Sequence, residues 1–404
     1  IKLNLFIFLY IHHMFIIFLV TFIGLMGFGI ILPLFPFYAE RLGASPEIIT
    51  LTMAIFSLGQ FFAAPFWGRL SDSIGRKKVI IISLFGSTMS YILLAFADTL
   101  TLVILSRAFA GLMAGNISIA FAYVTDITDE KNRSAGLGRV SAALGLGFMT
   151  GPAIGGFLAG SEVESANYVL TAMAGASLNV VALIGTIFFL KESLEPSKRK
   201  SLQGLFKIFE ANTFYPKKLI LPLVACGLFF YCSMSTMEAI FPLWANAIFN
   251  YGPSHIGGVF FMLGLVAVII QGGLIGPLTK LLGEKRLIQI AALSLMTGLV
   301  LLGNSSNEFT LWPGLFFYGA GAAMFNPSLS SLVSKSARDN ERGMYLGQYQ
   351  AACAMGRILG PTFSGVLYST FQPSAPFFAG VVVALPVILL IANFTLRKSE
   401  GVIE

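Results

Sequence analysis

The sequence predicts an all-α membrane protein: twelve transmembrane helices in two pseudo-symmetric six-helix halves. Three observations predict it: apolar runs of crossing length, basic residues gathered on one side, and an internal repeat. The 404 residues are 56% hydrophobic and only 11% charged, with a mean hydropathy of +0.82. Soluble domains carry roughly 25% charged residues, so an ordinary soluble enzyme is excluded, as are disordered and fibrous classes. The 42 glycines and 38 phenylalanines suit helices that pack closely in lipid through small residues.

A hydrocarbon core about 30 Å thick needs roughly 20 apolar residues per helical crossing. Twelve such runs fit, at 14–37, 47–68, 77–97, 100–125, 134–160, 166–190, 218–246, 254–281, 285–303, 309–334, 342–371 and 373–396. The long polar stretch 191–218 separates six spans from six. The expected organisation is an N-terminal bundle at 1–192, a cytoplasmic linker at 193–217 and a C-terminal bundle at 218–404.

With these spans, every Lys and Arg except Arg41, Arg107 and Arg357 falls on one side of the membrane. By the positive-inside rule that side is the cytoplasm, which places both termini and the linker there, in a plasma (inner) membrane. The net charge of +7 is therefore a topology signal, and no nucleic-acid partner is expected. Cys226, Cys232 and Cys353 all fall within spans and read as packing residues. His12-His13 is weak evidence for a metal; no metal site and no cofactor are expected. Residues 1–13 lack a small-residue cleavage site and are not read as a signal peptide.

The halves repeat. Gly68 to Lys78 (GRLSDSIGRKK) follows the second span, and Gly276 to Arg286 (GPLTKLLGEKR) follows the eighth, 208 residues later. Gly151-Pro152 recurs as Gly360-Pro361, Arg133 as Arg342, and Pro33 as Pro242, each at an offset of 209. Separated matches at nearly one offset argue for duplicated halves around a central site.

Gly68 to Lys78 resembles the loop signature of the major facilitator superfamily. Gly151-Pro152-Ala153-Ile154-Gly155-Gly156, preceded by Gly145 and Gly147, resembles the fifth-span antiporter motif of its drug:proton antiporters. Leu105-Ser106-Arg107 with Gly111 and Gly115 resembles the fourth-span arginine motif. Gly29 to Pro36 resembles the first-span motif of the twelve-span branch that includes tetracycline and multidrug exporters. The resemblance covers essentially the whole chain and implies that fold, with proton-coupled transport. One departure weakens tetracycline as substrate: aligned on Pro33, Gly24 stands where the tetracycline exporters carry an aspartate.

The residues also have readings of their own. In the loop, Gly68 and Gly75 permit a tight turn, while Asp72, Arg76 and Asp126 form a candidate charge cluster that latches one conformation. Its bland alternative is a solvated basic loop. In the fifth span, Gly147, Gly151, Gly155 and Gly156 allow close backbone approach and Pro152 removes a hydrogen bond, which suits packing and pivoting alike.

Ionisable groups at membrane depth cost roughly 2.5–3.5 kcal/mol on insertion scales, so each marks a cavity or a partner. There are three: Arg107, Glu238 and Arg357. Glu238, one turn before Pro242, is the candidate proton carrier, with Arg107 its candidate coupling partner; a structural ion pair with either arginine is the alternative. Arg357, Gln60, Asn116, Tyr123, Tyr231, Gln271, Asn326 and Gln350 are candidate cavity residues, with Tyr318 another polar group inside a span. No phosphate loop, catalytic triad or metal cluster appears, so an enzyme is not expected. The expectation is a monomeric secondary transporter, embedded in the bilayer, exporting amphipathic small molecules in exchange for protons. The alternative is a proton-coupled importer or facilitator of an organic anion or other metabolite.

Overall fold

In the computed structural model the described residues are 2–199, 220–337 and 342–394. The expected linker therefore lies outside the described residues from 200 onward. Among the described residues there are only helices, turns and irregular segments. The order is α1 (Lys2–Ile31), α2 (Phe35–Arg41), α3 (Pro46–Ile74), α4 (Arg76–Ala95), α5 (Leu100–Met113), α6 (Asn116–Ile127), α7 (Glu130–Ala159) and α8 (Tyr168–Phe189). There follow α9 (Leu221–Phe249), α10 (Pro253–Ile269), a π-turn (Ile270–Leu274), α11 (Ile275–Gly303), α12 (Glu308–Lys335), α13 (Arg342–Thr370) and α14 (Ala375–Asn393).

Nine helical stretches among the described residues are long and apolar enough to cross a membrane. One of them, Pro253–Gly303, turns at Gly283, whose φ of 73° is left-handed. Phe157, Phe188, Phe309, Val382 and Leu389 are exposed, as lipid-facing side chains are.

Two of the expected spans are interrupted. The first span breaks after Ile31 because Pro33 and Pro36 cannot donate to the ladder, so a separate short α2 follows. The fourth span, expected to run through 100–125, breaks at Ala114-Gly115. The freed carbonyls there are satisfied from other helices: the Trp67 indole donates to Leu112 O at 2.7 Å, and Ser83 Oγ donates to Met113 O at 2.5 Å. Trp67 also fills the space beside Gly115, where any side chain would collide with its ring.

The described chain groups into two compact units, Ile1–Glu210 with Ile240–Leu265, and Ala211–Ala239 with Val266–Glu404. In the first, α1 packs on α7 and α8, α4 on α5 and α8, and α3 on α5. Its core joins Ile17 and Val20 of α1, Trp67 of α3, Ile80 and Leu84 of α4, Tyr123 and Val124 of α6, and Val140 of α7. The α1/α7 seam is a four-residue zipper: Cβ atoms at Gly147 and Gly151 would stand 2.6 Å from the Phe22 and Met26 carbonyl oxygens, and one at Gly155 would overlap Ile30 O. Only glycine lets these backbones approach so closely. Gly156 sits against Pro253 and Gly257 on α10, which explains why the hairpin 240–265 groups with the first unit.

The second unit pairs α11 with α12 and α14. It repeats the zipper: Gly356 of α13 lies against Leu228 O of α9, and Gly360 against Cys232 O and Ser235. Gly356 and Gly360 stand 209 residues after Gly147 and Gly151, so the duplication read from sequence recurs in packing. Polar side chains in these helices mostly bond the carbonyl one turn back, as Thr21 to Ile17, Thr88 to Leu84 and Ser328 to Met324.

Substituting Gly151→Val inserts a branched side chain where no atom fits, and overpacking costs about 1–3 kcal/mol. The expected result is a clearly lowered thermal unfolding midpoint in detergent. Gly68→Ala, which meets no atom within 4 Å, is expected to leave it unchanged. Equal midpoints for Gly151→Val and wild type would contradict the seam.

Candidate functional site

The charge cluster between α3 and α4 is built by one left-handed residue. The second span was expected to end at 68, but α3 continues to Ile74, so Gly68 and Asp72 lie on its last turns. Gly68 makes no close contact, so its expected role in a tight turn does not hold; Gly75 alone makes the turn, with φ 109°. A Cβ at Gly75 would strike the Glu192 carboxylate. That carboxylate uses the space to accept from the backbone N–H groups of Arg76 at 2.8 Å and Leu194 at 3.1 Å, capping the start of α4.

Arg76, nearly buried, binds three partners. Nη1 meets Asp72 Oδ1 at 2.5 Å and donates to Ser71 Oγ at 2.6 Å, and Nε meets Asp126 Oδ2 at 3.0 Å. Ser193 Oγ donates to the same Asp126 oxygen at 3.0 Å. The structure thus brings together the expected Asp72, Gly75, Arg76 and Asp126. Sequence reasoning missed Glu192, Ser193 and Ser71. A carboxylate leaving the sixth span, in a chain with few acids, was the available signal.

At membrane depth in the first unit, Arg107 is 5% exposed. Its guanidinium lies over the Tyr91 ring, 5.7 Å from the centroid, while Nε and Nη2 have no hydrogen-bond partner among the described residues. Gln60 is half-buried on α3, and Asn116 opens α6 with its side chain outside the described ones. Tyr123 requires a correction: it is fully buried in the apolar core and donates to Lys191 O at 2.8 Å, so it braces the end of α8 and lines no cavity.

In the second unit, Glu238 and Arg357 are half-buried, and neither makes an ion pair among the described residues. Glu238 stands about two turns beyond Tyr231 on the same side of α9. Arg357 rests over Tyr231, 5.1 Å from the ring centroid. Tyr231 is edge-on to Phe230 and Phe325, which stack on each other. Asn326 Oδ1 accepts from the Tyr349 hydroxyl at 2.7 Å, and Tyr318 donates to Met234 O at 3.0 Å. Gln271 lies in the π-turn and donates to Ala323 O at 3.3 Å; Gln350 is exposed on α13. Tyr349 and Tyr91 were not anticipated as site residues.

The sequence pattern of the Major Facilitator Superfamily matches residues 17–303 and 272–402. The chain belongs to this superfamily. Relatives within it include Multidrug resistance protein 2 of Bacillus subtilis (strain 168), 32% identical over 89% of this chain and 90% of the relative. Multidrug resistance protein 1 of the same organism is 30% identical over 92% and 93%. Tetracycline resistance protein, class H, of Pasteurella multocida is 27% identical over 88% of each chain. The human organic anion transporter MFSD10 has the same fold, with a TM-score of 0.72 at 23% identity over 95% of this chain and 99% of that one. As a superfamily member, the chain is a multi-pass membrane transporter.

The Arg76 cluster is one cooperative unit in this superfamily chain. Arg76→Gln and Asp126→Asn each remove a charge that the other faces, so their effects overlap. The expected coupling in a double-mutant cycle on unfolding in detergent is about 0.5–3 kcal/mol. Strict additivity of the two substitutions would disprove the cluster.

Proposed function

We propose that this transporter exports amphipathic small molecules of the drug type in exchange for protons, by alternating access. The observation that carries the reading is Glu238: a carboxylate at membrane depth without an ion pair among the described residues, one turn before a proline. Pro242 leaves the Glu238 carbonyl without its helical donor, so the backbone there is polar as well. The multidrug and tetracycline resistance proteins among the relatives support the export reading. Glu238 takes the proton role, Arg107 a coupling role, and Arg357, Tyr231, Asn326, Gln271, Gln350, Gln60 and Asn116 face the substrate pathway.

The finer architecture belongs to the same proposal. Counting Pro253–Gly303 as two spans and adding the more polar α12 and α13 gives twelve crossings in two six-helix halves, 1–192 and 218–404 joined by 193–217. The basic residues put both termini on the cytoplasmic face of the inner membrane. The protein works as a monomer. In the cycle, a proton taken by Glu238 from outside is carried inward and released, after which the bare carboxylate accepts a cationic substrate. Proton and cation compete for one group, which is what antiport requires.

A second reading, uptake of an organic anion with a proton, is favoured by the two arginines, since Arg357 has no ion pair and Arg107 leaves two N–H groups without a partner among the described residues. An anion on Arg357 would promote protonation of Glu238, so proton and substrate would travel together. The direction of linked proton flux separates the two.

The test is internal pH in proteoliposomes under an imposed pH gradient, with aromatic cations and anions added in turn. Cations are expected to drive proton movement opposite to their own, and Glu238→Gln to reduce that movement at least about tenfold, a difference of about 1.4 kcal/mol. Undiminished coupling in Glu238→Gln would end the proton role of this residue.

A further inference from the structure

The polar cluster of the second unit holds a carboxylate and a guanidinium that do not touch. Arg357 has reached the face of Tyr231, and Glu238 stands about two turns further along the same helix as Tyr231, on the same side, without an ion pair among the described residues. Two tyrosine hydroxyls of this cluster are committed elsewhere, Tyr318 to Met234 O and Tyr349 to Asn326. The platform under Arg357 is held in place, because Tyr231 is pinned edge-on by Phe230 and Phe325.

A guanidinium keeps its charge in any surroundings and binds well to an aromatic face or a carboxylate. Which one wins depends on Glu238. When that carboxyl is protonated, or already holds a cation, it offers Arg357 little, and the Tyr231 face is the better place. When it is ionised and empty, the attraction between unit charges in a poorly polarisable site outweighs the aromatic contact.

We propose that Arg357 is a tethered competitor for the substrate position at Glu238, parked on Tyr231 in the arrangement seen and moving to Glu238 when the carboxylate is bare. A transported aromatic ammonium then has to displace a built-in cation, and both take the same two surfaces, the carboxylate and the aromatic wall. Arg357 thereby sets how strong a cation must be to enter, and it is a specificity-determining residue. This rests on the export reading in which Glu238 binds the cation.

The experiment is equilibrium dialysis of 1-naphthylmethylammonium, a planar aromatic cation, against the purified full chain in detergent at neutral pH. The variants are Arg357→Gln, Arg357→Lys, Glu238→Gln and the double variant Glu238→Gln/Arg357→Gln. Arg357→Gln removes the competitor and is expected to tighten binding by about tenfold or more, given the size of a charge–charge interaction at partly buried sites. Arg357→Lys keeps the charge but loses the planar stack on Tyr231, so the lysine stays on Glu238 and binding weakens. In the Glu238→Gln background, Arg357→Gln is expected to bring no tightening. Opposite signs from two substitutions at one position, cancelled by a third residue, are not produced by a structural role, which would weaken binding in both.

Weaker or unchanged binding in Arg357→Gln overturns the proposal, as does tightening that persists without Glu238. Absence of binding in both wild type and Arg357→Gln also overturns it, since a site freed of its competitor must take an aromatic ammonium. Failure of the export reading is seen separately, as proton flux indifferent to Glu238→Gln in proteoliposomes.

Discussion

Inside hydrocarbon no water replaces a broken backbone hydrogen bond, and most of this structure follows from that constraint. It dictates helices throughout the apolar runs. It also dictates what happens where a helix fails. At Ala114-Gly115 the ladder opens, and Trp67 and Ser83 reach from α3 and α4 to the freed carbonyls. Serines and threonines inside spans turn back onto their own helix or cross to a neighbouring carbonyl, as Ser233 does to Gly380 O at 2.8 Å. Each polar group within the bilayer therefore needs a named partner, and those without one are conspicuous. Arg107 leaves two buried N–H groups unpartnered among the described residues, and Glu238 and Arg357 lack ion pairs there.

The same constraint shapes how helices meet. Apolar side chains gain little from packing against one another when the alternative is lipid, so close backbone contact has to supply the attraction. The glycines at 147, 151 and 155 do this against carbonyls at 22, 26 and 30, with one step per turn on both helices. Gly356 and Gly360 do it again against α9. Seams of this kind are rigid, since no side chain intervenes to be rearranged. They hold the helices bearing Glu238 and Arg357, α9 and α13, at fixed separation within the second unit. Movement at that site is then left to side chains, and the longest charged one is Arg357.

Much of this was readable in the sequence. Apolar runs of crossing length mark helices because the bilayer imposes the length, and nine helical stretches among the described residues are long and apolar enough to cross. The 208–209 offset gives the repeat, and the motif residues Asp72, Arg76 and Asp126 do assemble. What was not readable concerns groups brought together from distant positions. Glu192 looked like the start of the polar stretch 191–218, yet it caps α4 across the turn at Gly75. Tyr123 looked like a cavity residue because its hydroxyl is polar, but a hydroxyl at the end of a long ring can reach a carbonyl beyond the core. Gly68 looked like a turn because glycine permits one; the helix simply continued through it.

The repeat is not a copy in charge. At an offset of 208–209, Gly75, Arg76 and Asp126 correspond to Gly283, Glu284 and Lys335. Both glycines are left-handed, and Glu284 pairs with Lys335 and accepts from Ser331 Oγ at 3.1 Å. Lys77 donates to Ile187 O and Lys285 to Phe394 O, so the flanking lysines are also equivalent. The signs of the central pair are exchanged, and the helix dipoles make that exchange consequential. Glu284 stands at the start of a helical stretch and Lys335 at the end of α12, each where the dipole favours it. Arg76 stands at the start of α4 and Asp126 near the end of α6, each where the dipole opposes it. The first cluster persists because Asp72, Ser71, Ser193 and the Glu192 cap offset that opposition. Of the two clusters, the first therefore depends on its surrounding contacts for a central pair that the dipoles oppose, while the second has a central pair that the dipoles favour.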